Sequence, residues 1–127
     1  MIFNDPQIVA EVRQAFDAYE GALLRHDAAA LDAFFLHRAD TIRYGVNEVQ
    51  HGIEAIRAFR ATQAPFERKL ADTIIVAYGN DVATASTLFY RNDFPNQVGR
   101  QQQTWIRTPD GWRVAAAHVS MMAQGQS

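Results

Sequence analysis

The chain has no cysteine in its 127 residues. That one absence excludes disulfide staples, a thiolate nucleophile and cysteine-bound zinc together, and it fits a reducing compartment. An excess of charge of one sign is also missing. Twelve Lys and Arg face fourteen Asp and Glu, for a formal net charge of −2, and no Lys/Arg run offers a nucleic-acid footprint. No apolar stretch approaches the roughly 18 residues of a membrane helix. The N-terminal "MIFNDPQIVAEVRQ" turns acidic by Asp5, before a signal-peptide core could form. The expectation is a cytoplasmic protein that engages neither nucleic acid nor membrane. Catalytic signatures are scarce too: GxGxxG, P-loop, HExxH and GxSxG are all missing. His26, His37, His51 and His118 lack metal-ligand spacing, so neither metal nor cofactor is expected.

What is present is a globular composition, 48% hydrophobic, in a single domain spanning residues 1–127 that is large enough to bury its own core. Asn4 or Asp5 can cap a helix with Pro6 at its first position, where the missing N–H does no harm. Ile8, Val9, Val12, Phe16, Tyr19 and Leu23 then recur at three- and four-residue steps, an amphipathic stripe. Asp27 can cap a second, short helix, "AAALDAFFL". "TIRYGV" reads as a short strand and "GIEAIRAFRAT" as a third helix with Ile53, Ile56 and Phe59 on one face. Beyond Pro65 four strand-like runs, 68–78, 82–92, 98–107 and 112–122, are separated by the turn chemistry of "GND", "FPN" and "PDG". Only the "AQGQS" tail reads as frayed. The class is α+β: three N-terminal helices packed on a curved antiparallel sheet, an NTF2-like (cystatin-like) cone with a pocket at its open end.

The informative residues are polar groups embedded in apolar elements. Tyr19 lies on the buried stripe of the first helix, either as a core tyrosine bonded to a carbonyl or as a hydroxyl aimed into the cone. Arg43 sits in an apolar strand and, if buried, needs an anion or several acceptors. Glu48, Glu54, Asp40 and Glu20 are possible internal partners, and a bound carboxylate is the other reading. Arg60, one turn beyond Ile56, reads as a solvated helix flank, and Arg91 as part of a rim. Gln101, Gln103 and Trp105 share one strand face. Trp112, Val114, Ala116, His118 and Ser120 share another, which reads as a pocket floor with a polar pair for orientation or as a core with a satisfied histidine. Without an elbow or an oxyanion loop, His118 and Ser120 do not form a base–nucleophile pair.

The joint pattern RYG…HG…AI..FR…GRQ.QTW.R…GWR..AAHVS, carried by "IRYGVNEVQHGIEAIRAFR" and "GRQQQTWIRTPDGWRVAAAHVSMM" after "AFDAYEGAL", resembles the AtzH-like family of small NTF2-like proteins over nearly the whole chain. The resemblance implies a cofactor-independent decarboxylating amidohydrolase of cyanuric acid (s-triazine) catabolism. Its reaction would convert 1,3-dicarboxyurea to urea-1-carboxylate (allophanate) and carbon dioxide, in functional association with an amidase. On that reading Arg43 clamps a carboxylate and Tyr19 delivers the proton, while Tyr44, Gln103, Trp105, His118 and Ser120 shape the pocket around a small N-carboxylated urea. Relatives tied to oxalurate and other ureides leave a second substrate class open, and a non-catalytic partner of an amidase is a third reading. Ketosteroid isomerases are also similar in architecture and use a first-helix tyrosine. They need a carboxylate base, however, and no Asp occurs between residues 99 and 107. Strands 82–92 and 98–107 are apolar and aromatic enough on both faces to support a homodimer or higher homo-oligomer.

Overall fold

The computed structural model describes residues 1–125; the last two residues of the tail read as frayed, 126–127, lie outside that range. Helix α1 spans Pro6–Leu24, with Asp5 as its N-cap and Oδ1 accepting from the Gln7 amide at 2.9 Å. Of the two candidate caps, Asn4 does a different job. It takes a left-handed φ of 57° and pairs through its backbone and its side chain with Ala77, pinning the chain start to the sheet. The buried residues of α1, Ile8, Val12, Phe16, Tyr19 and Ala22, form the expected stripe. His26, at φ 56°, turns the chain, and Asp27 caps α2 (Ala28–Phe34) by accepting from the Ala30 amide at 3.1 Å.

Strand β1 is Ile42–Tyr44, β2 is Val49–His51 and α3 is Ile53–Ala61. Gly52 caps α3 at φ 92°, and any Cβ there would lie 2.9 Å from the Ala39 carbonyl oxygen, so both conformation and space require glycine. The meander follows as β3 (Arg68–Tyr78), β4 (Val82–Arg91), β5 (Gln97–Thr108) and β6 (Gly111–Ala123). The six strands run in the order β2-β1-β6-β5-β4-β3. The sheet is mostly antiparallel, as expected, with the short β1 lying parallel to β6.

Two bulges curve the sheet. In β3, Asp72 and Thr73 oppose one residue of β4, and Asp72 adopts φ 53°. In β6, Ala115 is the extra residue between the Thr104–Ala116 and Trp105–Val114 pairs. The helices fill the resulting concave face. Phe16, Phe35, Ile56, Trp105 and Val114 are fully buried there in one continuous core, each such side chain stabilising the fold by about 1.5–3 kcal/mol. No helix among the described residues is long and apolar enough to cross a membrane.

Candidate active site

At the open end of the cone the core gives way to a cavity of about 80 Å³, small beside the roughly 300–1,000 Å³ that hold drug-sized ligands. Its floor is a transverse row of the sheet. Arg43 of β1 pairs in register with Ala117 of β6, which pairs with Gln103 of β5, which pairs with Ala85 of β4. With strands about 4.8 Å apart, Arg43 and Gln103 stand roughly 10 Å from each other, and Ala117 between them keeps the space open. The next row carries Val119 and Gln101. Tyr19 from α1 and Phe59 and Arg60 from α3 close the roof.

Four guanidinium groups, those of Arg43, Arg60, Arg68 and Arg91, line this cavity, and no Asp or Glu side chain does. Each carboxylate that matters sits behind an arginine. Glu48 accepts from Arg43 Nη1 at 3.0 Å, and the Gln50 amide oxygen accepts from the same nitrogen at 2.9 Å. Glu20 takes a bidentate pair from Arg68 that buries both side chains. Arg91 is bound by Asp93 at the mouth, with Phe66 3.8 Å under its plane. Of the partners considered for Arg43, Glu48 is therefore the one used. Glu54 binds Arg57, Asp40 binds Arg38, and Glu20 belongs to Arg68.

Arg60 is held differently. Its Nε donates to Asp32 Oδ1 at 2.9 Å and its plane lies over the Phe35 ring at 5.1 Å, yet the buried Nη2 has no partner. Burial pushes this guanidinium below the ordinary arginine value; the neighbouring Tyr19 and Asp32 pull it back up, and Arg43 lowers it further. Arginine nevertheless stays a cation at neutral pH. Arg60 is thus no solvated flank: its side chain is only 10% exposed. Its position one turn after the buried Ile56 was the available signal.

The structure gathers Tyr19, Arg43 and Gln103 around the cavity. Tyr19 packs edge-on to Phe34 and Trp105. Trp105 lies beneath the cavity without lining it, and its indole N–H donates to Gln103 Oε1 at 3.1 Å. Because an indole nitrogen can only donate, this bond fixes the Gln103 amide with its NH₂ turned the other way.

Tyr44, His118 and Ser120 are not brought to the cavity. The Ala115 bulge reverses the parity of β6, so Trp112 and Val114 face inward and then Ala117 and Val119 do. His118 and Ser120 consequently lie on the outer face. There His118 meets Tyr44 edge-on at 5.9 Å, and Ser120 accepts from Arg100 Nε at 3.1 Å. Tyr44, 40% exposed, follows Arg43 in β1 and so points away from it.

A model of the AtzH-like family matches residues 1–125. The chain belongs to the AtzH-like family. A cystatin-like fold protein from Burkholderia xenovorans LB400 is 48% identical, with 98% of this AtzH-like chain and 99% of that one covered at a TM-score of 0.94. A protein of unknown function of the DUF3225 family, from Pectobacterium atrosepticum SCRI1043, is 46% identical over 95% of each chain at a TM-score of 0.92. The fold extends to an NTF2-like protein from Pseudomonas putida KT2440 at 20% identity, with 91% and 87% of the two chains covered and a TM-score of 0.79. No protein of curated function matches the chain.

Proposed function

We propose that the cavity binds a small N-carboxylated urea and that the protein is the decarboxylating amidohydrolase that turns 1,3-dicarboxyurea into urea-1-carboxylate and carbon dioxide. The observation that carries this is the Arg60 guanidinium, buried with Nη2 unpartnered in a cavity that no carboxylate lines and that Arg43 shares, the other two guanidiniums, Arg68 and Arg91, being held bidentately by Glu20 and Asp93. A buried donor left without an acceptor costs about 1–3 kcal/mol, more when it is charged, so the site is completed by an anion. Arg43 and Arg60 repel one another across the cavity. A dianion with a carboxylate at each end relieves that repulsion better than a monoanion does. The absence of a lining carboxylate also leaves ketosteroid-type proton abstraction without its base.

In the reaction, Arg60 and Arg43 each hold one carboxylate. The C–N bond of one carbamate breaks, its electron pair returns to nitrogen, and carbon dioxide departs. The Tyr19 hydroxyl, beside Arg60, supplies or relays the proton that the nitrogen takes up. Positioning and proton delivery are the whole contribution asked of the protein, because N-carboxylates already tend to lose carbon dioxide. A crystal soaked with malonate tests the site. Density bridging Arg60 Nη2 and the Tyr19 hydroxyl is expected, and malonate bound only outside the cavity would overturn the assignment.

A further inference from the structure

Gln101 is the second buried group in the cavity left without a partner. It is 6% exposed, it stands one row along β5 from the Arg43–Ala117–Gln103 row, and its Nε2 has no acceptor in the protein. Two residues on along the inward face, Gln103 is tethered, its Oε1 accepting from Trp105 Nε1–H. Gln101 has no such tether. Of its two register partners, Val119 offers no polar side chain and the Thr87 hydroxyl is taken up by Thr73 and by the Ala71 and Leu88 carbonyls, so its amide faces whatever fills the cavity. The amide is neutral, whereas the cavity's cations are the natural seats for anionic oxygens. What a neutral amide N–H takes beside the guanidiniums is the neutral oxygen of the ligand.

We propose that Gln101 is a specificity-determining residue that donates to a carbonyl oxygen lying between the ligand's two carboxylates. The inference rests on the two-cation reading of the cavity given above. A site built to hydrogen-bond one ligand group discriminates against an analogue lacking it, because the protein's own donor is then buried unpaired. The cavity therefore separates dicarboxylates of equal length by their middle atom: a central carbonyl is preferred to a central methylene.

The test uses two compounds of five-carbon backbone, glutarate and 3-oxoglutarate, which differ only at the central carbon; the latter, a β-keto acid that slowly loses carbon dioxide, is dissolved immediately before use. Binding of each to the full chain is measured calorimetrically in the cold, for wild type and for Gln101→Leu and Gln101→Met, two apolar side chains of similar bulk. Wild type should bind 3-oxoglutarate about tenfold more tightly than glutarate. In either variant that ratio should fall to near one, through lost 3-oxoglutarate affinity and, with no donor left to bury unpaired, glutarate affinity unchanged or raised, which also shows the site still folded. A ratio unchanged in both variants overturns the role of Gln101 and leaves the arginine site standing. Failure of wild type to bind either compound overturns the two-cation reading itself.

Discussion

At the scale of single residues, the four arginines in one small cavity are compensated unequally. Arg68 is neutralised by a buried bidentate carboxylate, Arg91 by Asp93 at the mouth, and Arg43 by Glu48 with help from Gln50. Of these four arginines, Arg60 alone keeps a buried, unpartnered nitrogen. Glu48 then acts as a brake on the charge that Arg43 offers a ligand. Glu48→Gln keeps the size of the side chain and removes the competing charge, so glutarate should bind several-fold more tightly to that variant. The half-buried pair itself contributes no more than about 1 kcal/mol to folding, so the thermal midpoint should fall by only a few degrees. Calorimetric titration and a thermal melt read the two effects separately. Weaker glutarate binding with an unchanged melt would contradict the role given to Glu48. Arg43 is legible in the sequence because a cation between Ile42 and Tyr44 stands out. Arg60 is less so, because helices carry many arginines on their flanks, although its four-residue step from Ile56 places it on the buried stripe.

Among the elements, strands β3 to β6 follow hydrophobic alternation and turn chemistry so closely that their ends fall within a residue or so of expectation. Strand β2 was not legible: "VQH" is too short to show a period. The β6 bulge was hidden for a sharper reason. Alternation is visible only where inward and outward residues differ, and Ala115, Ala116 and Ala117 are the same residue. One inserted alanine in that run leaves no trace in the pattern, yet it sends His118 and Ser120 outward and Val119 inward. The same small residues keep the floor open. Ala117→Leu should fill the gap between Arg43 and Gln103 and weaken glutarate binding by at least tenfold. The cost in stability should be about 1–3 kcal/mol, as for an overpacked site, measured by urea unfolding. Undiminished binding in this variant would mean that the ligand seat lies elsewhere.

For the molecule as a whole, the sheet's outer face exposes Tyr44, Ile74, Val82, Tyr90 and Met122. We propose that this face pairs two copies, and light scattering after gel filtration should return twice the 14.3 kDa chain mass. Ile74→Glu, at a position 60% exposed, should then shift the protein to monomer without unfolding it; a wild-type monomer would contradict the pairing. Acid stability is also a whole-molecule property. The indole N–H of Trp112 holds Glu11 below the usual carboxylate range, against a smaller opposing effect of burial and with help from Arg107. Hydrogen bonds from Arg38 and Arg91 lower Asp40 and Asp93 in the same way. The unfolded chain binds these protons more readily than the folded one. Their contribution is therefore complete above the unfolded carboxylate values near 4 and is lost as pH falls through the lower folded values. Urea midpoints should hold from neutral pH to about 5 and drop below 4. Glu11→Gln, which can still accept from the indole, should make that drop shallower.

Two arginines and a tyrosine in this cavity are proposed to decarboxylate an N-carboxylated urea. The direct measurement is carbon dioxide release from enzymatically generated 1,3-dicarboxyurea by the purified protein with no other enzyme present. Wild type should release carbon dioxide with urea-1-carboxylate as co-product. Tyr19→Phe should lose about 10²–10⁴-fold of the rate, and Arg60→Met and Arg43→Met should each lose on the order of 10²-fold or more in kcat/KM. A wild-type protein that releases none, and only raises the yield or stability of an added amidase, would contradict the enzyme reading and leave a binding partner in its place.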